Sequence, residues 1–309
     1  MVSFTLRRIL MLIPILIGIT FIIFALLYIL PGDPVRLIAG PGATPETIES
    51  IRHEMGLDRP LHTQYLDYLS KMVVGDLGRS YQTRRRVTEE LAAAVPRTVQ
   101  LALAAEVISS VFGILLGMIA AARQNSWPDR VITILAALQL SFPAFWLALM
   151  LQLLFAVKLH WLPSSGYENG FDKFIILPAI TMAIASTGIL ARLTRVAVLD
   201  TLREDYIRTG RAKGLRELKV FVQHALPNAL IPITTTIGLD LARLIGGITI
   251  IEVIFSWPGL GKYAFDALVF RDLPALQASV IVFAVFVTLI NLFVDLLYRI
   301  IDPRISRTA

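Results

Sequence analysis

The sequence contains no cysteine, and only 17% of its 309 residues are charged. The first absence excludes disulfides and thiolate metal sites and leaves the redox compartment open. The second falls well below the roughly 25% charge of an ordinary soluble domain. Four scattered histidines (His53, His62, His160 and His224) lack metal-ligand spacing, so no metal site is expected. Catalytic signatures are missing too, with neither a Gly-x-Ser-x-Gly elbow nor a His-Glu-x-x-His helix. Gly259-Leu260-Gly261-Lys262 is similar to the end of a phosphate-binding loop. That motif requires Gly where Ser256 stands and Ser or Thr where Tyr263 stands, so no nucleotide site is expected.

What fills the chain instead is apolar surface. Hydrophobic residues make up 56% of the sequence, and mean hydropathy is +0.69. The apolar runs predict an all-α polytopic membrane protein with about six spans, over 9–30, 98–122, 131–157, 174–193, 226–251 and 278–301. Between the first two spans lies a polar segment, 31–97. Within it, 45–55 reads as a short helix and 61–72 as a second, each with one apolar face in need of a partner. Gly75-Asp76-Leu77-Gly78 marks a turn. Gly113 and Gly117 form a GxxxG that permits close helix contact, and Pro143 is expected to kink the third span. Ala179, Ala183, Ala185, Gly188 and Ala191 suit the fourth span to a crowded central position.

The net charge of +6 follows from basic cytoplasmic loops and gives no reason to invoke nucleic acid. With both termini inside, the inner face collects Arg7, Arg8, Arg123, Arg130, the 192–219 cluster, Arg299, Arg304 and Arg307. The segment 31–97, with Arg84-Arg85-Arg86, then lies outside, which the rule tolerates because long loops translocate largely regardless of charge. Asp240 and Arg243 sit three apart on one helix face inside the fifth span. They line a pathway or simply pair with one another. Asp295 and Asn291 read as helix-packing groups, and Glu106 is compatible with either role.

The segment 199–227 is the most charged stretch next to the membrane. Leu199, Leu202, Tyr206 and Ile207 keep helical spacing, and Gly210 and Gly214 are expected to break or cap that helix. Small residues between cations, Gly210, Ala212 and Gly214, permit close approach by another protein.

This segment resembles the EAA loop of ABC-transporter permeases. Arg208-Thr209-Gly210 stand at the triplet, Gly214 at the glycine, and Leu226-Pro227 at the terminal Leu-Pro. Arg208, Gly210 and His224 depart from the general signature. Glu204-Asp205-Tyr206-Ile207-Arg208-Thr209-Gly210-Arg211-Ala212-Lys213-Gly214 is similar to the dipeptide/oligopeptide branch, which includes nickel and glutathione systems. Leu30-Pro31-Gly32-Asp33-Pro34, Gly56-Leu57-Asp58-Arg59-Pro60-Leu61, Gly75-Asp76-Leu77-Gly78-Arg79-Ser80, Ser141-Phe142-Pro143 and the run Glu252 to Gly261 resemble the first permease subunit of that branch.

The resemblance implies a type I importer permease in a bacterial inner membrane. It divides the chain into 1–97, a first helix with an extracytoplasmic segment, and 98–309, a five-helix core with a coupling loop at 197–226. Implied partners are a second homologous permease, two cytoplasmic ATPases and an extracytoplasmic solute-binding protein. The ATPases use ATP and Mg, while this chain itself binds no cofactor and catalyses nothing. ATPase coupling falls on Glu204, Asp205, Arg208, Thr209, Gly210, Ala212, Lys213, Gly214, Leu226 and Pro227. Asp240, Arg243 and Pro143 are candidates for the translocation path, and Glu252, Pro258, Gly259 and Gly261 for an outer gate loop within 252–278. Peptides, glutathione and chelated nickel all remain open as cargo. The rival readings are an ion-coupled secondary transporter using Asp240 and Arg243, a membrane scaffold without transport, and an intramembrane enzyme.

Overall fold

The computed structural model describes residues 14–25, 35, 39, 42–54 and 56–301, without the side chains of 51, 54, 140 and 293–301. The motif 30–34, the helix ends at 9–13 and 26–30, Met55, the side chains of Asp295 and Arg299, and Arg7, Arg8, Arg304 and Arg307 lie outside the described residues. Among the described residues the regular structure is helical, with one isolated β-bridge between Arg79 and Arg86. The chain forms two compact units, Met1–Pro96 with Gly259–Thr288, and Arg97–Pro258 with Leu289–Ala309.

In the first unit, α1 (Pro14–Ala25) is followed by α2 (Pro45–Glu54) and α3 (Leu61–Val73). The apolar face of α3 finds its partner on α1. The Tyr65 hydroxyl lies 3.0 Å from Thr20 Oγ1 and donates to the Ile17 carbonyl at 3.1 Å, while its ring packs against Phe21 and Phe24. The expected turn forms with Gly75 and Gly78 at positive φ, and Asp76 accepts from the Gly78 N–H at 3.0 Å. Beyond it α4 (Val87–Ala122) begins, well before the predicted start of this span at 98. The unit is completed by α10 (Leu260–Val269) and the first part of α11 (Leu273–Ile301). Val87, Leu91, Leu260, Ala267, Ala275 and Ala278 make its core.

The second unit is built on α7 (Lys173–Thr201), against which α5 (Trp127–Leu138), α6 (Ala144–Leu151) and α9 (Leu226–Ile254) pack. Asp172 caps α7 by accepting from the Phe174 N–H at 2.8 Å. The apolar stretch of α7 is 61% buried, against 33% for that of α4, so the small-residue helix does occupy the crowded position. GxxxG packing is direct. A Cβ on Gly113 would lie 2.8 Å from Leu190 Cβ, and one on Gly117 only 2.5 Å from the Ala191 carbonyl oxygen.

Three expectations change. The third span is broken rather than kinked: α5 ends at Leu138, a 3₁₀ turn covers Gln139–Ser141, and Pro143 caps α6 from outside. Pro143 cannot donate a backbone N–H, and its ring forces Phe142 into extended geometry (ψ 125°), so the α-helix cannot run through. Next, helix α7 reaches Thr201 and the chain breaks at 202–204, not at Gly210, which lies inside α8 (Asp205–Ala212). Finally, α9 does not begin abruptly at Leu226. Glu217–Lys219 and a π-helical turn, Val220–Ala225, lead into it. Pro227 has no N–H for the carbonyl of Gln223, and the turn preceding it is wound as π-helix.

Among the described residues, three helices are long and apolar enough to cross a membrane: α4, α7 and Leu273–Leu292 of α11. Shorter apolar helices are Pro14–Ala25 and Ala144–Lys158, the latter being α6 with its π-helical continuation. Replacing Gly117 by Ala is expected to lower stability by about 1–3 kcal/mol, because the obstructing atom is backbone and cannot rotate away. Thermal unfolding in detergent, compared with Gly246→Ala, whose Cβ would meet nothing within 4 Å, checks this.

Candidate functional site

The segment 204–214 forms a small, well-terminated helix. In α8, Ile207 is fully buried against Val220 and Ala225, with Leu202 and Leu215 around them. Glu204, Asp205, Arg208, Thr209, Ala212 and Lys213 are exposed, and Gly210 is half-buried. The helix thus rests on one apolar residue and presents the rest outward.

Its C-terminus is a Schellman motif. The Gly214 N–H donates to the Arg211 carbonyl at 2.9 Å and the Leu215 N–H to the Gly210 carbonyl at 3.3 Å, with Gly214 at φ +78°. Glycine is favoured at 214 because left-handed geometry costs other L-residues about 1–2 kcal/mol. A Cβ on Gly210 would meet Leu215 Cδ1 at 3.6 Å, an ordinary van der Waals contact. Arg211 is held by Glu217 through two bonds, at 2.8 and 3.2 Å. Arg208 makes only a long 3.6 Å contact with Asp205, both side chains largely exposed. Leu226 and Pro227 stand on the far side of the π-helical turn, at the start of α9.

The polar residues of α9 are paired. Arg243 Nε donates to Asp240 Oδ1 at 2.8 Å, and its Nη2 donates to Ser186 Oγ of α7 at 3.0 Å. Asp240 is mostly covered (12% exposed) while Arg243 is half-exposed (51%). Glu106 of α4, buried and accepting from Ser110 Oγ at 3.0 Å, has Asp240 and Arg243 as electrostatic neighbours. Sequence reading left Glu106 unassigned; its one signal is a lone acid in an apolar helix.

Residues of the predicted gate loop divide between the two units. In the second, Glu252 is fully buried and accepts from Thr98 Oγ1 at 2.6 Å. Pro258 lends its carbonyl to Arg97 Nη1 at 3.3 Å. Trp257, also fully buried, donates to the Arg97 carbonyl at 3.0 Å and meets Tyr167 edge to face. In the first unit, Gly259 is the N-cap residue of α10 and Gly261 is buried within it. Pro143 is exposed at the α6 start.

One brace escaped sequence reading. Asp129 at the start of α5 binds Arg195 of α7 in a fork, at 2.5 and 2.8 Å, and also accepts from the Asn125 N–H at 2.8 Å. The partners are 66 residues apart, and nothing local in the sequence signals the pairing.

Residues 113–307 match the family described as binding-protein-dependent transport system inner membrane component, and residues 1–102 match its N-terminal membrane component. The chain belongs to that family and is a membrane permease subunit of an ABC importer, in which ATP hydrolysis resides on a separate subunit. It is 40% identical to the dipeptide transport system permease protein DppB of Alkalihalophilus pseudofirmus, with 99% of this chain and 100% of that one covered. It is 43% identical to the glutathione transport system permease protein GsiC of Salmonella choleraesuis, with 99% of each covered. Its fold is similar to that of a chain of the MetNI methionine ABC transporter in an inward-facing conformation, at TM-score 0.59 and 17% identity. That alignment covers 69% of this chain and 96% of the other. The type I importer permease fold is therefore established, and the ion-coupled reading has no support.

Asp129→Asn is expected to lower stability by about 2–3 kcal/mol, less than a fully buried pair because Arg195 is 24% exposed. The Arg195 guanidinium holds the Asp129 carboxyl below its ordinary value of 3.8. The stabilisation is therefore complete above that value and lost as pH falls through the lower folded-state pKa. Thermal melts of both proteins should accordingly converge in strong acid.

Proposed function

We propose that this chain forms half of the translocation pathway of a bacterial inner-membrane importer for di- or oligopeptides or a related small solute such as glutathione. The other half is a second homologous permease. Six spans, with both termini cytoplasmic, put α8 inside and 31–97 outside, where a solute-binding protein delivers cargo. The names of the relatives support the cargo class, and the inner distribution of Lys and Arg supports the orientation.

The observation that carries the coupling role is α8 itself, a capped helix seated by Ile207 and exposed along Glu204, Asp205, Arg208, Thr209, Ala212 and Lys213. Seated in a cleft of one ATPase, it acts as a short lever. Closure of the ATPase pair moves α8, and the continuous path from Glu217 through the π-turn into Leu226-Pro227 carries the motion into α9. ATP binding biases the equilibrium only as far as the two states differ in affinity for the ATPases or the binding protein. On α9, Asp240 and Arg243 offer opposite charges to the termini of a peptide in transit. Pro143, at the break before α6, borders the same pathway, and the stretch from Glu252 at the end of α9 through Pro258 and Gly259 to Gly261 in α10 forms its outer gate.

In proteoliposomes holding the complete complex, Gly214→Glu is expected to reduce binding-protein-dependent uptake at least about tenfold, by clash in the ATPase cleft. Gly214→Asn, which tolerates positive φ, should retain most of it. Equal uptake in both would remove the coupling assignment. For the path, Asp240→Asn and Arg243→Gln should each slow peptide uptake severalfold, and unchanged uptake in both would reassign the pair to helix packing.

A further inference from the structure

Residues 79–86 form a hydrogen-bonded turn on the first unit. Arg79 and Arg86 pair as a β-bridge, the Ser80 N–H donates to the Arg85 carbonyl at 3.0 Å, and the Arg84 N–H donates to the Ser80 carbonyl at 3.0 Å. Arg84 takes left-handed geometry, φ 62°. Beneath the turn lies Asp272, which is 2% exposed. It accepts from the Ser80 hydroxyl, from the Gln82 N–H at 3.2 Å and from the Ala275 N–H at 3.4 Å.

Arg79, Arg84, Arg85 and Arg86 are all exposed, and among the described residues none of them has an ion-pair partner. Nearby acids are engaged elsewhere: Asp76 with the Gly78 N–H at 3.0 Å, Glu90 with the Tyr263 hydroxyl at 2.7 Å, and Asp272 with the turn itself. Glu89, one residue earlier on α4, is the exposed exception. A buried carboxylate thus holds backbone rather than neutralising cations, and four guanidinium forks project from a fixed frame.

We propose that this turn is a docking contact for a carboxylate-rich surface on the extracytoplasmic solute-binding protein. The inference rests on the reading above that 31–97 lies outside. Guanidinium forks bind carboxylates in defined bidentate geometry, which a pre-formed turn favours and a diffuse lipid surface does not require. Rim contacts of this kind set the association rate and its salt dependence.

The test uses the complete complex in phosphatidylcholine vesicles, titrated with its solute-binding protein while ATP hydrolysis is followed. The triple change Arg84→Glu, Arg85→Glu, Arg86→Glu should raise the half-stimulating concentration about tenfold, and the Gln triple variant should raise it less. Raising salt from about 0.05 to about 0.5 M should weaken the parent but not the reversed complex, whose like-charge repulsion salt screens. Gel filtration verifies assembly, and the Gln variant alone carries the test if the reversed one fails to assemble. Equal half-stimulating concentrations overturn the proposal. So does an effect confined to vesicles containing phosphatidylglycerol, which assigns the arginines to lipid. Gln82→Cys in this cysteine-free chain should react with an impermeant maleimide from outside. Protection there overturns the orientation itself, separating that failure from failure of docking alone.

Discussion

Close approach of helices to α7 is the constraint on which the second unit depends. Lipid supplies no hydrophobic drive between spans, so association there relies on contact and on the few polar bonds available. Gly113 and Gly117 bring α4 to the Leu190 and Ala191 region of α7 with no space for a side chain between. Gly188 does the same for Gln139, whose side-chain amide donates to the Ala185 carbonyl at 3.1 Å. Ala179, Ala183 and Ala191 are all but fully buried.

The polar bonds act on this packed frame at separated points. Ser186 ties α7 to Arg243 of α9, Arg195 ties α7 to Asp129 of α5, and Thr98 ties α4 to Glu252 of α9. Each bond joins a helix to one distant in sequence and satisfies a group that would be costly to bury alone. Beyond Thr201, Leu202 and Phe221 still pack against the core around Leu190 and Ala229, while α8 itself rests on the small apolar seat of Ile207, Val220 and Ala225.

Much of this is legible in sequence because it is local. Apolar runs locate the helices, Gly75 and Gly78 locate a turn, and the Arg208 to Pro227 spacing picks out the segment that folds as α8 and the start of α9. The break at 202–204 is not legible, because Leu199, Leu202, Tyr206 and Ile207 keep helical spacing straight through it. Pro143 signals a disturbance but cannot say whether a bend or a full break results, since that depends on what packs alongside. The Asp129–Arg195 and Thr98–Glu252 pairs join residues far apart in the chain. Glu252, which reads as part of a loop, turns out to be a buried end of α9. Its neighbours rather than its own sequence decide that.

The π-turn at Val220–Ala225 has a consequence for how this chain tolerates change in length. A π-turn closes its hydrogen bonds to the fifth residue rather than the fourth, so it houses an additional residue within an otherwise α-helical rod. Loss of one residue there can be absorbed by rewinding to α while α9 keeps its facing. The same loss within α9 would turn everything beyond it by about 100°, the α-helical angle per residue. That would carry Asp240 and Arg243 away from Ser186. The stretch between α8 and α9 is therefore where this chain can lose a residue while α9 keeps its facing on α7.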